Sequence, residues 1–205
     1  TSPTLVDLPV LRQLALIFST IIDSKSPFTF AHSIGVASVT KYLAAALDLP
    51  TQRRELLEVA ALLHDLGKLG VPDAILDKPG ALDERERATV KRHAFETHRI
   101  LRRITGLDEV AMWAACHHET LDGAGYPFRL EPTELPVEAR VLAVADIFQA
   151  LAQPRPYRPA MPVEQICRIL DGEAGAGRLD PGITALVRRD AGELWFVAGA
   201  GAAGC

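Results

Sequence analysis

An all-α fold is what this chain of 205 residues predicts, on three observations. Apolar residues return at three- and four-residue intervals in nearly every segment, as one buried face of a helix requires. No stretch alternates apolar and polar residues like a half-buried strand, and no repeat of solenoid period is present. Hydrophobic content of 48% and charged content of 23% are those of an ordinary globular chain, which disfavours disorder and coiled coil alike. The length suits one domain, or one domain with an appendage, and is ample for a sizeable core. The expected architecture is a bundle of about seven or eight helices with one irregular loop, "DGAGYP", at 122–127.

The first helix falls within 1–24, where Val10, Leu14, Ile17 and Ile21 share a face. The chain begins at Thr1 without methionine, so this helix is expected to be the linker from an upstream sensory or receiver domain. Its apolar stretch "VLRQLALIFSTII" has 13 residues and contains Arg12, whereas a membrane span needs about 20 apolar residues, and no secretory leader pattern precedes it. Val36, Val39, Leu43 and Leu47 mark a second helix closed by "DLP". A third covers 51–66 with Leu56, Ala60 and His64 on one stripe and Gly67 near its end. "DKPG" breaks the chain, and Asp83 with Glu86 reads as a capping box opening a long helix through Ile104. Further helices fit 108–118, 137–151, 162–170 and 181–189. The domain is thereby expected over 25–190, with 191–205 a tail.

Charge and cysteines exclude several function classes. A net charge of −4 gives no general attraction for DNA, RNA or anionic lipid, so an anionic ligand must be met locally. Cys116, Cys167 and Cys205 form no CxxC pair, which argues against a disulfide framework or thiolate zinc site and for a reducing cytoplasm. Cys116 reads as a small core residue.

Chemistry enters where polar residues interrupt apolar stripes. Asp146 lies in "VLAVADIFQAL" among Ala139, Leu142, Ala143, Ile147 and Ala150, and a buried lone carboxylate costs several kcal/mol unless compensated. Taken singly it reads as a hydrogen-bonded or arginine-paired core residue. His64 and Asp65, taken singly, read as a polar helix end beside the C-terminal dipole. The histidine census changes this. Of six histidines, five (His32, His64, His93, His117, His118) fall on or beside apolar helical faces together with Asp65 and Asp146. Imidazoles and carboxylates in that number suit two divalent first-row ions bridged by one carboxylate. His98 is five residues from His93, about 140° round a helix, and reads as an ordinary surface histidine. After His117 and His118, Gly123 and Gly125 give a turn with room for close approach, and Tyr126 offers a flat face for a base; a plain structural turn with a core tyrosine fits the same residues.

The series "SPFTFAHS", "AALLHDLGKLGVPDAIL", "KPGAL", "VKRH", "HHETLDGAGYP", "ARVLAVADIF" and "RPYRPAM" resembles the HD-GYP domains, bacterial HD phosphohydrolases associated with cyclic di-GMP hydrolysis, in the family's order over about 25–190. The resemblance implies that His64 and Asp65 are the HD pair and Asp65 the bridging ligand. His32 and Asp146 would complete one metal site with His64, and His93, His117 and His118 the other with Asp65. Lys68 matches the lysine near the scissile phosphate, Arg155 and Arg158 match the phosphate-contacting basic residues, and Gly125, Tyr126 and Pro127 are the GYP tripeptide. Trinuclear members carry Glu where Phe28 stands and Asp where Gln149 stands, so two metal ions are expected, iron or manganese first, with nickel or zinc as alternatives. Leu121 stands where an aromatic is common. The implied activity is hydrolysis of cyclic di-GMP to pGpG, and onward to GMP, by a metal-bridging hydroxide, with Asp65 and Lys68 as catalytic residues. Two rivals differ in class or substrate: an inactive module binding cyclic di-GMP or a GGDEF-domain partner, and a phosphohydrolase for another nucleotide. Monomer and dimer remain open.

Overall fold

The computed structural model describes residues 6–25, 32–154 and 159–199, and over these the chain is helical, with ten α-helices, two 3-10 turns and no strand. The helices are α1 (Leu8–Asp23), α2 (His32–Ala46), α3 (Thr51–Leu63), α4 (Asp73–Leu76) and α5 (Glu84–Leu101), then α6 (Asp108–Ala115), α7 (Val137–Ala152), α8 (Val163–Gly175), α9 (Pro181–Arg189) and α10 (Ala191–Val197). The helix at α10 was expected to be tail; Leu194 anchors it by full burial in the core. No helix among these residues is long and apolar enough to cross a membrane.

Local chemistry sets the ends. Asp48 at φ 53° closes α2 in the left-handed region that Asp tolerates better than most residues. The capping box at α5 is complete: Asp83 accepts from the Glu86 N–H at 2.9 Å, and Glu86 accepts from the Asp83 N–H at 2.8 Å.

The core sits where α2, α3 and α7 pack together, with α6 on α3 and α5, and it is filled by Leu43, Leu57, Leu62, Trp113, Leu142 and Phe148. α7 is buried on nearly all sides, which explains its run of Ala and Val. The stripe Val36, Val39 and Leu43 of α2 is fully buried as its periodicity predicts. The stripe of α1 is not: Val10, Leu14, Ile17 and Ile21 face solvent, while Ala15, Ser19 and Ile22 face the bundle. Small residues let α1 approach closely, and α1 packs chiefly on α3, so it is built into the bundle.

Candidate metal centre

Five elements converge at one end of the bundle, and each brings one or two of the expected residues. His32 opens α2, His64 and Asp65 follow α3, His93 lies within α5, His117 and His118 follow α6, and Asp146 lies in α7. The structure groups His32, His64 and Asp146 as one possible ligand set and His93, His117 and His118 as another, with Asp65 joined to His64 and His117 between them. One Asp65 oxygen is 3.4 Å from His64 Nε2; the other is 3.3 Å from His93 Nε2 and 3.9 Å from His117 Nε2. A single carboxylate thus faces both groups. Asp146 Oδ1 is 3.1 Å from His32 Nε2 and 3.8 Å from His64 Nε2.

The imidazoles are oriented by backbone. Nδ1–H of His64 donates to Ala61 O at 2.7 Å, that of His93 to Val90 O at 2.6 Å, and that of His117 to Ala114 O at 2.7 Å. A carbonyl can only accept, so each Nδ1 carries the proton and each Nε2 presents a lone pair to the centre. Ala61 and Ala114 lie in last helical turns, where carbonyls lack helical partners. Burial holds His93 and His117 below the usual histidine pKa, and His118 is lowered to about 4, chiefly by burial, so these rings are neutral near pH 7. The His93 and His117 Nε2 atoms then face each other at 3.3 Å as two lone pairs, and His64 Nε2 and Asp65 Oδ1 are buried without a hydrogen bond. Converging, unpartnered, electron-rich atoms of this kind are what a divalent cation relieves, and imidazoles with carboxylates suit first-row divalent metals. The residues fit such a metal.

Asp65 and Asp146 are both ionised. Burial acts to raise their pKa, but at Asp65 the Lys68 ammonium, 2.5 Å away, and the surrounding imidazoles outweigh it, and at Asp146 the His32 hydrogen bond and nearby imidazoles do the same.

Two adjacent histidines reach one centre because the helix stops first. A helix through 118 was expected, in which neighbours diverge by about 100°. Instead α6 ends at Ala115, residues 116–118 form a 3-10 turn, and Glu119 is extended, so both rings turn inward with centroids 3.9 Å apart.

The glycine-rich loop folds against its own backbone. A Cβ at Gly125 would lie 2.5 Å from Glu119 Cα and Thr120 N, and Gly123 has φ +70°. The glycines therefore serve the loop's own packing at this point, one by close approach and one by conformation. Tyr126 donates its N–H to His118 O at 3.1 Å, its ring stacks 4.7 Å from His118, and Lys91 Nζ lies 4.9 Å from the same ring. Its phenol pKa is raised by burial and by the charges of Asp146 and Asp65, which marks it as a wall of the centre. Leu121 packs in a small cluster with Cys116, Leu135, Ala139 and Phe128. His98 lies outside both histidine groups, half-buried with its ring 5.2 Å from Phe128. Gln149 fills the space that Gly35 leaves on α2 and donates to Ala198 O at 3.3 Å. Arg155, Arg158 and Phe28 lie outside the described residues.

Three residues the sequence did not single out hold the site together. Thr97 of α5 donates to His64 O and accepts from Gly67 N–H, stitching the HD turn to the helix of His93. Asp23 accepts from Ser33 N–H at 3.0 Å and Ser33 Oγ at 2.7 Å, next to His32. Buried Glu119 accepts backbone N–H bonds from Phe128, Arg129 and Leu130 at 2.6, 3.0 and 3.2 Å. Each acts on backbone groups, which side-chain patterns do not display.

Glu119→Gln tests the clamp. It replaces a carboxylate accepting three charge-assisted bonds by an amide with one acceptor, a loss of about 2 kcal/mol and a Tm lower by roughly 5 °C. Metal content should stay at the parent value while KM rises; unchanged Tm and KM together would show that the loop is held by other contacts.

A family model described as "HD domain" matches residues 17–183. The chain is 46% identical over 154 residues to 3'3'-cGAMP-specific phosphodiesterase 3 of Vibrio cholerae, covering 75% of this chain and 34% of that protein. It is 34% identical over 193 residues to a cyclic di-GMP phosphodiesterase of Pseudomonas aeruginosa, covering 86% and 45%. The chain thus spans less than half the length of these relatives. Among solved structures, an HDG"Y"P protein from Bdellovibrio bacteriovorus superposes with a TM-score of 0.64 at 16% identity, covering 87% of this chain and 62% of that one, a likeness of fold. A cyclic GMP-AMP specific phosphodiesterase of Vibrio cholerae superposes at 0.55 with 36% identity, covering 94% and 42%. Motif series, fold and relatives agree with the HD-GYP resemblance, and the chain belongs to the HD domain family.

Proposed function

We propose that the domain hydrolyses a 3'–5' phosphodiester of a guanine-containing cyclic dinucleotide, cyclic di-GMP in the first instance. The observation that carries this reading is the pair of ligand sets flanking one ionised carboxylate, Asp65. His32, His64, Asp146 and Asp65 would hold one divalent ion and His93, His117, His118 and Asp65 a second. Bound there, such ions supply Lewis acidity toward phosphoryl oxygens and a lowered pKa for water.

The chain's own groups do the rest. Asp65 and the backbone-oriented imidazoles hold the donor atoms in place, so little reorganisation is needed during reaction. Lys68, whose Nζ lies on Asp65 and whose side chain is a quarter exposed, is positioned at the rim to stabilise charge on the phosphoryl group and to give a proton to the departing 3' oxygen. Water adds its oxygen to phosphorus as the P–O3' bond breaks, giving linear pGpG from cyclic di-GMP; a second round would give GMP. Arg155 and Arg158 are proposed to clamp the other phosphate. Tyr126 limits the space above His118 and would set the fit of the base.

A second substrate, 3'3'-cGAMP, is favoured by the 46% identity to a protein named for it. The test is anaerobic incubation of the metal-reconstituted chain with each compound, resolving linear products by chromatography and counting ions in the same sample. Linear product with about two ions per chain supports the reading, and the ratio of kcat/KM values selects between the two substrates. Full metal loading without product from either would leave a binding module, with a GGDEF-domain protein as a candidate partner.

A further inference from the structure

The first helix is apolar on the outside. Val10, Leu14, Ile17, Phe18 and Ile21 are 44%, 42%, 57%, 44% and 48% exposed, whereas Ala15, Ser19 and Ile22 face the bundle. Of twelve exposed large apolar residues among the described residues, six lie between Val6 and Ile21. That is one concentrated patch and not the scattered exposure that monomers carry without consequence. The helix's two charged residues are both engaged within the chain: Arg12 pairs with Glu58 at 2.7 Å, and Asp23 binds Ser33.

Three properties choose the occupant. The spacing 10, 14, 17, 21 runs four, three, four, the interval at which a second helix packs side chains into holes. Between Val10 and Ile21 the face carries no charge, so a partner with a charged surface would be desolvated without return, and a lipid surface would find none of the Lys and Arg that membrane-lying helices use. A second copy of this helix offers the same length, spacing and neutrality, and two identical faces close on each other about a two-fold axis. A helix of 16 residues is about 24 Å long and about 10 Å across. Two such faces bury on the order of 500 Å² together in projection, and more as side chains interlock, which is the scale of a weak, concentration-dependent dimer.

We infer that the outward face of α1 pairs two copies of this chain. The pairing also braces the centre: α1 ends at Asp23, which holds Ser33 beside His32, and Lys25 just beyond it donates to Leu69 O and Val71 O at 3.1 and 2.7 Å, next to the Lys68 turn.

Sedimentation velocity from about 1 to about 100 µM, where an interface of this size dissociates, tests the inference. The parent chain should sediment as a dimer in the upper part of that range. Ile17→Lys should weaken association at least about 100-fold with no fall in Tm, because Ile17 is mostly exposed. Phe196→Ser, at the most exposed apolar residue, should leave the dimer intact. A parent chain that stays monomeric throughout, an Ile17→Lys variant that still dimerises, or a Phe196→Ser variant that dissociates would each overturn it.

Discussion

Asp65→Asn is expected to abolish turnover and to empty both metal sites at once. The carboxylate is buried and ionised, and among the described residues it is the one group whose two oxygens face the two histidine sets separately. Asparagine preserves shape but offers one neutral oxygen, and its amide nitrogen would be directed at one of the histidine sets. The activity should fall below about 1% of the parent rate, the scale of losing one charge-stabilising group in a preorganised site. Ion content should drop toward zero with the helical circular dichroism kept. Lys68→Met separates the roles. Lys68 is no metal ligand, and its ammonium competes with cations for Asp65; removing it should retain or tighten metal binding while turnover falls. An Asp65→Asn protein that still holds two ions, or a Lys68→Met protein at full rate, would overturn the division of labour proposed above.

The cluster of histidines and acids was legible because metal chemistry restricts residue types. Histidines and acids on apolar stripes are costly unless compensated, so their coincidence over one chain carried information before any contact was known. Where the sequence misled, pattern was read without knowing what covers it. The stripe Val10, Leu14, Ile17, Ile21 correctly marks an amphipathic helix, but periodicity cannot say that the bundle takes the small-residue face, Ala15 and Ser19, instead. The His117–His118 pair made sense only once the α-helix ended at Ala115. Glu119 and Thr97 were invisible because their partners are backbone groups nine or more and thirty or more residues away, brought near by the fold. α10 was hidden by the Gly and Ala of the residues after it, although Leu194 within it reaches the core.

The same backbone dependence makes Gly67→Ala the second large prediction. Gly67 lies in the 3-10 turn Leu66–Gly70 that follows the HD pair, and that turn presses against α5. A Cβ there would overlap the His93 carbonyl oxygen and lie 2.8 Å and 2.9 Å from the carbonyl carbon and Cα. The obstacle is backbone, so no rotamer change relieves it, and the turn must back away from α5. Doing so stretches the Gly67 N–H bond to Thr97 at 2.9 Å and the Thr97 bond to His64 O at 3.0 Å, and it draws His64 and Asp65 away from His93. Overpacking costs about 1–3 kcal/mol, and strained buried hydrogen bonds add about 1–2 more. At about 2–4 °C per kcal/mol, Tm should fall by roughly 10 °C. A displacement of about 1 Å between ligands held by different elements should lower kcat about 100-fold. Gly70 in the same turn has open space at its Cβ position, so Gly70→Ala keeps the turn's chemistry and adds the same methyl without the collision. Near-parent stability and rate for Gly70→Ala beside a large loss for Gly67→Ala would locate the constraint at the α5 contact. Equal behaviour of the two variants would mean that the turn adjusts freely and that the spacing of the two ligand sets is held elsewhere.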